Sequence, residues 1–221
     1  EKLSLQLVEN VDEDTIIYGS CLRLLTNGQC VEASMAMFAQ NYLPAIDAQV
    51  AIWENHLNSF PYSTYLLPRN LVMAVGNWNE HLVRAQDCEY MARVLALAKK
   101  LVYVQDAIFY YRQVENSVSC KPLSRQQLQS EAIVCDVIAD IILTYSKSVP
   151  AVRACEIHYT DGLTAWYPQN RFLVKDMVKS MNVRGLNLNF ENRGRLFHML
   201  KNIFGWRVAV RIIKLKNIIR L

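Results

Sequence analysis

The stretch 71–93, LVMAVGNWNEHLVRAQDCEYMAR, constrains this chain more than any other. It reads as a short apolar helix that stops at Gly76, a polar loop, and a second helix that begins near Asp87. Glycine ends a helix readily, because it takes left-handed backbone angles without a Cβ clash. The stretch displays an indole, Trp78, beside the acidic residues Glu80, Asp87 and Glu89. An aromatic plate receives the apolar CH face of a sugar, and a carboxylate accepts a hydroxyl proton, so the combination suits a sugar site. An Asp at a helix start is also a common N-cap, and the two roles are compatible.

Charge is distributed unevenly along the 221 residues. Residues 192–221 hold eight Lys/Arg and no Asp/Glu, so the first 191 residues carry 16 basic against 20 acidic groups. The net charge of +4 therefore originates in the tail. With 52% apolar and 20% charged residues the chain is globular, with a large core and little room for disorder. The six cysteines, at 21, 30, 88, 120, 135 and 155, form no C-x-x-C or Cys/His spacing, which speaks against structural zinc and for a reducing compartment. The most apolar run, 132–145, includes Asp136 and Asp140 and reads as a buried helix rather than a membrane span.

In chain order, residues 15–25 are rich in β-branched and aromatic side chains and predict a strand. Asn27-Gly28 predicts a type I′ turn, with a hairpin returning through Cys30 to Ala33. Ile46, Val50, Trp53 and Leu57 fall on one helical face, predicting a helix over 46–58 that Phe60-Pro61 ends. A strand over 62–67 follows, then Pro68 at the first turn of the helix leading into Gly76. The second helix runs to Lys99-Lys100, and 101–104 and 107–111 predict two short strands. Beyond Pro122 the pattern is helical, over about 124–147, 150–166, 170–181 and 192–202.

Read as a set, G-x-W-x-E at 76–80, Q-D-x-E-Y-x-x-R at 86–93, Tyr110-Tyr111-Arg112 and Asn116-Ser117-Val118-Ser119 resemble the second half of a family-2 glycosyltransferase of the GT-A fold. The resemblance covers roughly residues 1–120. It implies an α/β fold: the C-terminal portion of a GT-A glycosyltransferase domain followed by a mostly helical appendage. Residues 1–121 would form the acceptor-side half of the catalytic domain, and 122–221 a helical C-terminal region with a basic amphipathic tail. Glu1-Lys2-Leu3 resembles the family's first residues after its Asp-x-Asp metal motif, which implies a fragment with the nucleotide-binding half upstream. By the same resemblance residues 1–9 are helical, although their own pattern fits strand or helix.

The implied reaction is inverting transfer of a sugar from a nucleotide-sugar donor to the hydroxyl of a glycan or lipid-linked acceptor, in cell-surface polysaccharide synthesis at the cytoplasmic face of the membrane. Asp87 would be the catalytic base, placed at a helix N-terminus and facing a cleft shared with Trp78. Gly76, Trp78, Glu80 and Gln86 would bind the sugars, Gln86 standing where the family more often has Glu. Arg112 and Ser117 would approach the diphosphate, and Val114 replaces a His common in the family. A divalent metal, Mg or Mn, is implied for the full-length protein with no ligands in this chain: Asp12-Glu13-Asp14 has the right spelling but reads as a surface turn. The Q-x-x-R-W of processive members of the wider family does not occur, so the resemblance implies single-sugar transfer.

The competing reading is a non-catalytic, membrane-associated scaffold derived from such an enzyme. Nucleic-acid binding is not expected, because the basic tail lacks interleaved aromatics. Residues 205–221 place Val208, Ile212, Leu215 and Ile219 on one helical face and Arg207, Arg211 and Lys214 on another. Such a helix either lies on an anionic membrane surface or docks on its own domain with the basic face in water.

Overall fold

The computed structural model describes residues 12–32, 38–58, 61–114 and 122–219. Residues 1–9 and Ser117 lie outside them. The fold is mixed α/β: a small sheet built around one strand, and then a mostly helical region.

That strand is β1 (Thr15–Leu24), and every other strand pairs with it. β4 (Lys100–Arg112) runs parallel to it along its whole length. On the opposite edge β3 (Tyr65–Leu66) pairs antiparallel near its start and β2 (Cys30–Glu32) near its end. Ile16, Ile17 and Tyr18 are all buried, so both faces of the first half of β1 are covered, as suits a central strand. The β1–β2 hairpin departs from a type I′ turn. Gly28 N–H donates to Leu25 O, Gly28 has φ 82°, and Asn27 is not among the residues with positive φ. This is the three-residue loop in which a turn is followed by a left-handed glycine, and Asn27 contributes its Oδ1 to Gln29 N–H.

The two short strands expected at 101–104 and 107–111 form one strand with a bulge. Gly19 pairs with Val104, but Ser20 pairs with Ile108, so three residues of β4 bow out of register. Ala107 presses so closely that a Cβ on Gly19 would lie 2.1 Å from its carbonyl oxygen. Here glycine is required by backbone approach.

Helix α1 (Asp47–Glu54) buries Val50, Ile52 and Trp53 and stops sooner than expected, with His56 in a left-handed conformation. A 3₁₀ turn at Tyr62–Thr64 takes the first half of the segment expected as strand. Then come α2 (Arg69–Val75), ending at Gly76 with φ 79°, and α3 (Gln86–Leu97). In the helical region α4 (Arg125–Tyr145) begins with a full capping box, Ser124 and Gln127 each bonding the other's backbone. α5 (Val149–Trp166) begins with Ser148 accepting from Ala151 N–H and a proline in its first turn. α6 (Arg171–Val183), α7 (Arg195–Phe204) and α8 (Trp206–Ile219) complete the described chain.

One apolar core runs from Ile16 through Trp53, Leu95, Ile138 and Tyr159 to Val210, continuous across residue 122. The acidic pair in α4 explains its own presence there. Asp136 accepts from Tyr159 Oη (2.5 Å) on α5 and Ser180 Oγ (2.7 Å) on α6, and Arg184 forks onto Asp140 at 2.7 and 2.6 Å. Val134, Ile138 and Ile142 form the buried face of α4, and Tyr145 is exposed. Across the junction of the two regions, His158 of α5 stacks on Trp53 of α1 with centroids 4.0 Å apart and planes 2° from parallel. Desolvation pulls the His158 imidazole down from 6.5 to about 3.

Two outcomes follow from this packing. Gly19→Ala is expected to destabilise the fold by about 1–3 kcal/mol through overpacking against Ala107, read as a lower denaturation midpoint at unchanged m-value. For His158 the folded value lies below the unfolded one, so the unfolded chain binds the extra proton between pH 6.5 and about 3. Stability is then complete above that window and lost as pH falls through it, with a slope approaching about 1.4 kcal/mol per pH unit. His158→Phe keeps a ring on Trp53 and should flatten this part of the pH profile in denaturant titrations.

Candidate functional site

Asp87 stands in the first turn of α3, exposed, on the wall of a cleft of about 1220 Å³. It is not the N-cap: that position belongs to Ala85, which reaches it with φ 57° and gives no side-chain bond. Asp87 Oδ1 accepts from Cys88 N–H at 3.0 Å. The carboxylate thus meets a backbone donor of the first turn while remaining open to solvent. Tyr62 lines the same cleft, and its phenol is pushed far above its ordinary value by desolvation, with Cys88 and Asp87 adding to the effect.

The loop that sets the start of α3 is fixed by Arg93. Its guanidinium donates to Val75 O (2.8 Å) and Asn77 O (3.0 Å), satisfying carbonyls at the end of α2 that the helix itself leaves unpaired. The same group forks onto Glu89, one turn back, at 2.7 and 3.0 Å. Glu89 is buried, and Arg93 sits 5.3 Å from the centroid of the Tyr90 ring. Tyr90 in turn carries Trp78, stacked at 4.4 Å with planes 1° apart. Glu89, Tyr90 and Arg93 are therefore bracing for the loop, and Asp87 is the acidic residue of α3 left facing outward.

Asp87, expected as the base, and Arg112, expected at the diphosphate, both line the cleft. Gly76, Trp78, Glu80 and Gln86 do not. Trp78 stacks on Tyr90 outside the lining of this cleft and is itself 48% exposed. Glu80 and Gln86 are exposed.

A residue passed over in the sequence joins the site. Arg23 lines the cleft with Arg112, and the two stand one register step apart at the carboxyl ends of the parallel strands β1 and β4. Both are exposed. Its signal was the single cation in the strand segment SCLRLL, which becomes informative once β1 and β4 are known to be parallel neighbours. Arg84, also on the wall, is occupied by Glu131 of α4 at 2.5 Å.

Among the described residues no group of three or more His, Cys, Asp or Glu is arranged to hold a metal ion. Asp12, Glu13 and Asp14 lead into β1 as a turn whose backbone carbonyls accept from Thr15, Asn70 and Lys99. Compared with protein-family models and with curated proteins, the chain gives no match to either.

Removing the Arg93 fork is the direct test of the bracing. Arg93→Met leaves Glu89 buried without its partner and is expected to cost about 3 kcal/mol. Pairing it with Glu89→Gln should recover part of that loss, so a double-mutant cycle by denaturant unfolding reads the coupling.

Proposed function

We propose that this chain is the acceptor-side part of an inverting family-2 glycosyltransferase of GT-A type, acting on a nucleotide-sugar donor and a glycan or lipid-linked acceptor hydroxyl in cell-surface polysaccharide synthesis. The observation that carries the reading is the exposed Asp87 carboxylate on a large cleft that also presents Arg23 and Arg112. A hydroxyl is a weak nucleophile at neutral pH. Asp87 takes its proton as the oxygen attacks the anomeric carbon from the face opposite the departing nucleoside diphosphate, which inverts the configuration. Arginines lining the cleft suit the charge that builds on the leaving diphosphate, since a guanidinium offers a planar fork of donors. The divalent metal that the resemblance implies finds no ligand set among the described residues.

Trp78 is a sugar platform of a different kind from the one its sequence position suggests. Its ring is backed by Tyr90 on one face, and its location outside the cavity suits an extended acceptor rather than the transferred sugar.

Asp87→Asn separates basicity from structure, because the amide oxygen can still accept from Cys88 N–H. In the protein as expressed from its gene, the substitution is expected to lower transfer by about 10²–10⁴-fold. Donor affinity in titration calorimetry with a panel of nucleotide-sugars should stay nearly constant. Arg112→Ala and Arg23→Ala should instead weaken donor binding. An Asp87→Asn protein that transfers at the parent rate removes Asp87 from the chemistry.

A further inference from the structure

The last two helices dock with an apolar stripe left in water, and on α8 Lys214 and Arg211 turn toward the protein. On α8, Ala209 and Val210 are buried, and Trp206 packs on Tyr167 and Phe190 at 5.5 and 6.3 Å between ring centroids. Lys214 donates to Ala165 O (2.7 Å) and Tyr167 O (2.6 Å) at the end of α5, and Arg211 lies 5.2 Å from the Tyr167 centroid. These contacts orient the helix so that Val208, Ile212 and Leu215 are exposed, Leu215 at 59%. The preceding helix does the same. Phe197 and Leu200 of α7 are buried, while Leu196, Met199 and Ile203 are exposed at helical spacing, Ile203 at 64%. Phe204 at its end is exposed as well. Neither helix is long and apolar enough to cross a membrane.

We propose that the α7–α8 hairpin is an interfacial membrane anchor that lies flat on a bilayer containing anionic lipid. Apolar residues at 196, 199, 203, 208, 212 and 215 enter the headgroup–acyl boundary, and exposed cations beside them meet lipid phosphates. On α8, Arg207 and Lys216 stand roughly a quarter-turn to either side of the stripe, and on α7 Arg195 flanks it in the same way. All three are exposed. Charge selects this occupant over a second copy of the chain. A two-fold contact through the hairpin would gather Arg195, Arg207 and Lys216 of both copies at one interface, with no Asp or Glu in 192–221 to pair them. An anionic surface supplies the missing countercharge. This anchoring is independent of the chemistry in the cleft.

Vesicle co-sedimentation of the 221-residue chain tests the proposal. The probes are vesicles of phosphatidylcholine alone and of phosphatidylcholine with phosphatidylglycerol at about a third of the lipid. Binding is expected to the anionic vesicles, to weaken as salt shortens the reach of the charges, and to be slight on the neutral ones. Arg195→Gln and Lys216→Gln should each lower partitioning about five-fold. Ile203→Asp and Leu215→Asp should lower it by more than about ten-fold while leaving the thermal transition in place, because both side chains are already in water. Equal partitioning onto both vesicle types, or variants that bind like the parent, would overturn the proposal. So would sedimentation velocity showing a dimer that Ile203→Asp dissolves, since the stripe would then belong to a second copy.

Discussion

Everything near the cleft depends on the Arg93 guanidinium. A short helix such as α2 cannot hold its own end, since its last carbonyls have no partner within the helix. Arg93 reaches across the reversal at Gly76 to bond two carbonyls there, and the Glu89 carboxylate makes its charge tolerable at a partly buried position. The pair is worth more as geometry than as energy. It fixes where the loop starts, Ala85 closes the loop in a left-handed conformation, and α3 then begins with Asp87 pointing out. The Glu89 carboxylate is held under Arg93, so Asp87 is the acidic group of α3 left open to solvent.

How much of this could be read in advance divides along physical lines. β1, α1, the stop at Gly76 and the start of α3 were legible because each has a local cause: β-branched density, helical periodicity, a glycine with positive φ. The bulge in β4 was not. Gln105 and Asp106 look like a break between two strands, and only the pressure of Ala107 on Gly19 shows that pairing resumes. Asn27-Gly28 signalled the hairpin correctly and its turn type wrongly, since Asn27 serves the loop through its side chain and not through positive φ. Asp87 and Arg112, singled out from the motif, both line the cleft, whereas Arg23 joins them there only through strand pairing, a long-range fact.

The tail shows why hydrophobic periodicity alone misplaces a helix. A stripe of Val208, Ile212 and Leu215 reads as the docking face, yet the protein offers that helix aromatic rings and the unpaired carbonyls at the end of α5. Lys214 and Arg211 satisfy those better than aliphatic carbons do. Small residues, Ala209 and Val210, then sit where the approach is closest. The polar contacts choose the rotation of the helix, and the apolar stripe goes where it is left.

A parallel pair of strands carries a functional consequence that an antiparallel pair would not. Because β1 and β4 run the same way, their carboxyl ends finish together, and Arg23 and Arg112 arrive at one rim from strands about 90 residues apart in sequence. In open α/β sheets ligands gather beyond the carboxyl ends of the parallel strands. Here Arg23 and Arg112 line the cleft at that rim, and Asp87 lines its wall. Cations alone would describe an anion site, and a carboxylate alone a cap or a base. Together on one cavity they suit the departure of an anion and the uptake of a proton, the combination on which the proposed transfer from an activated phosphate ester to a hydroxyl rests.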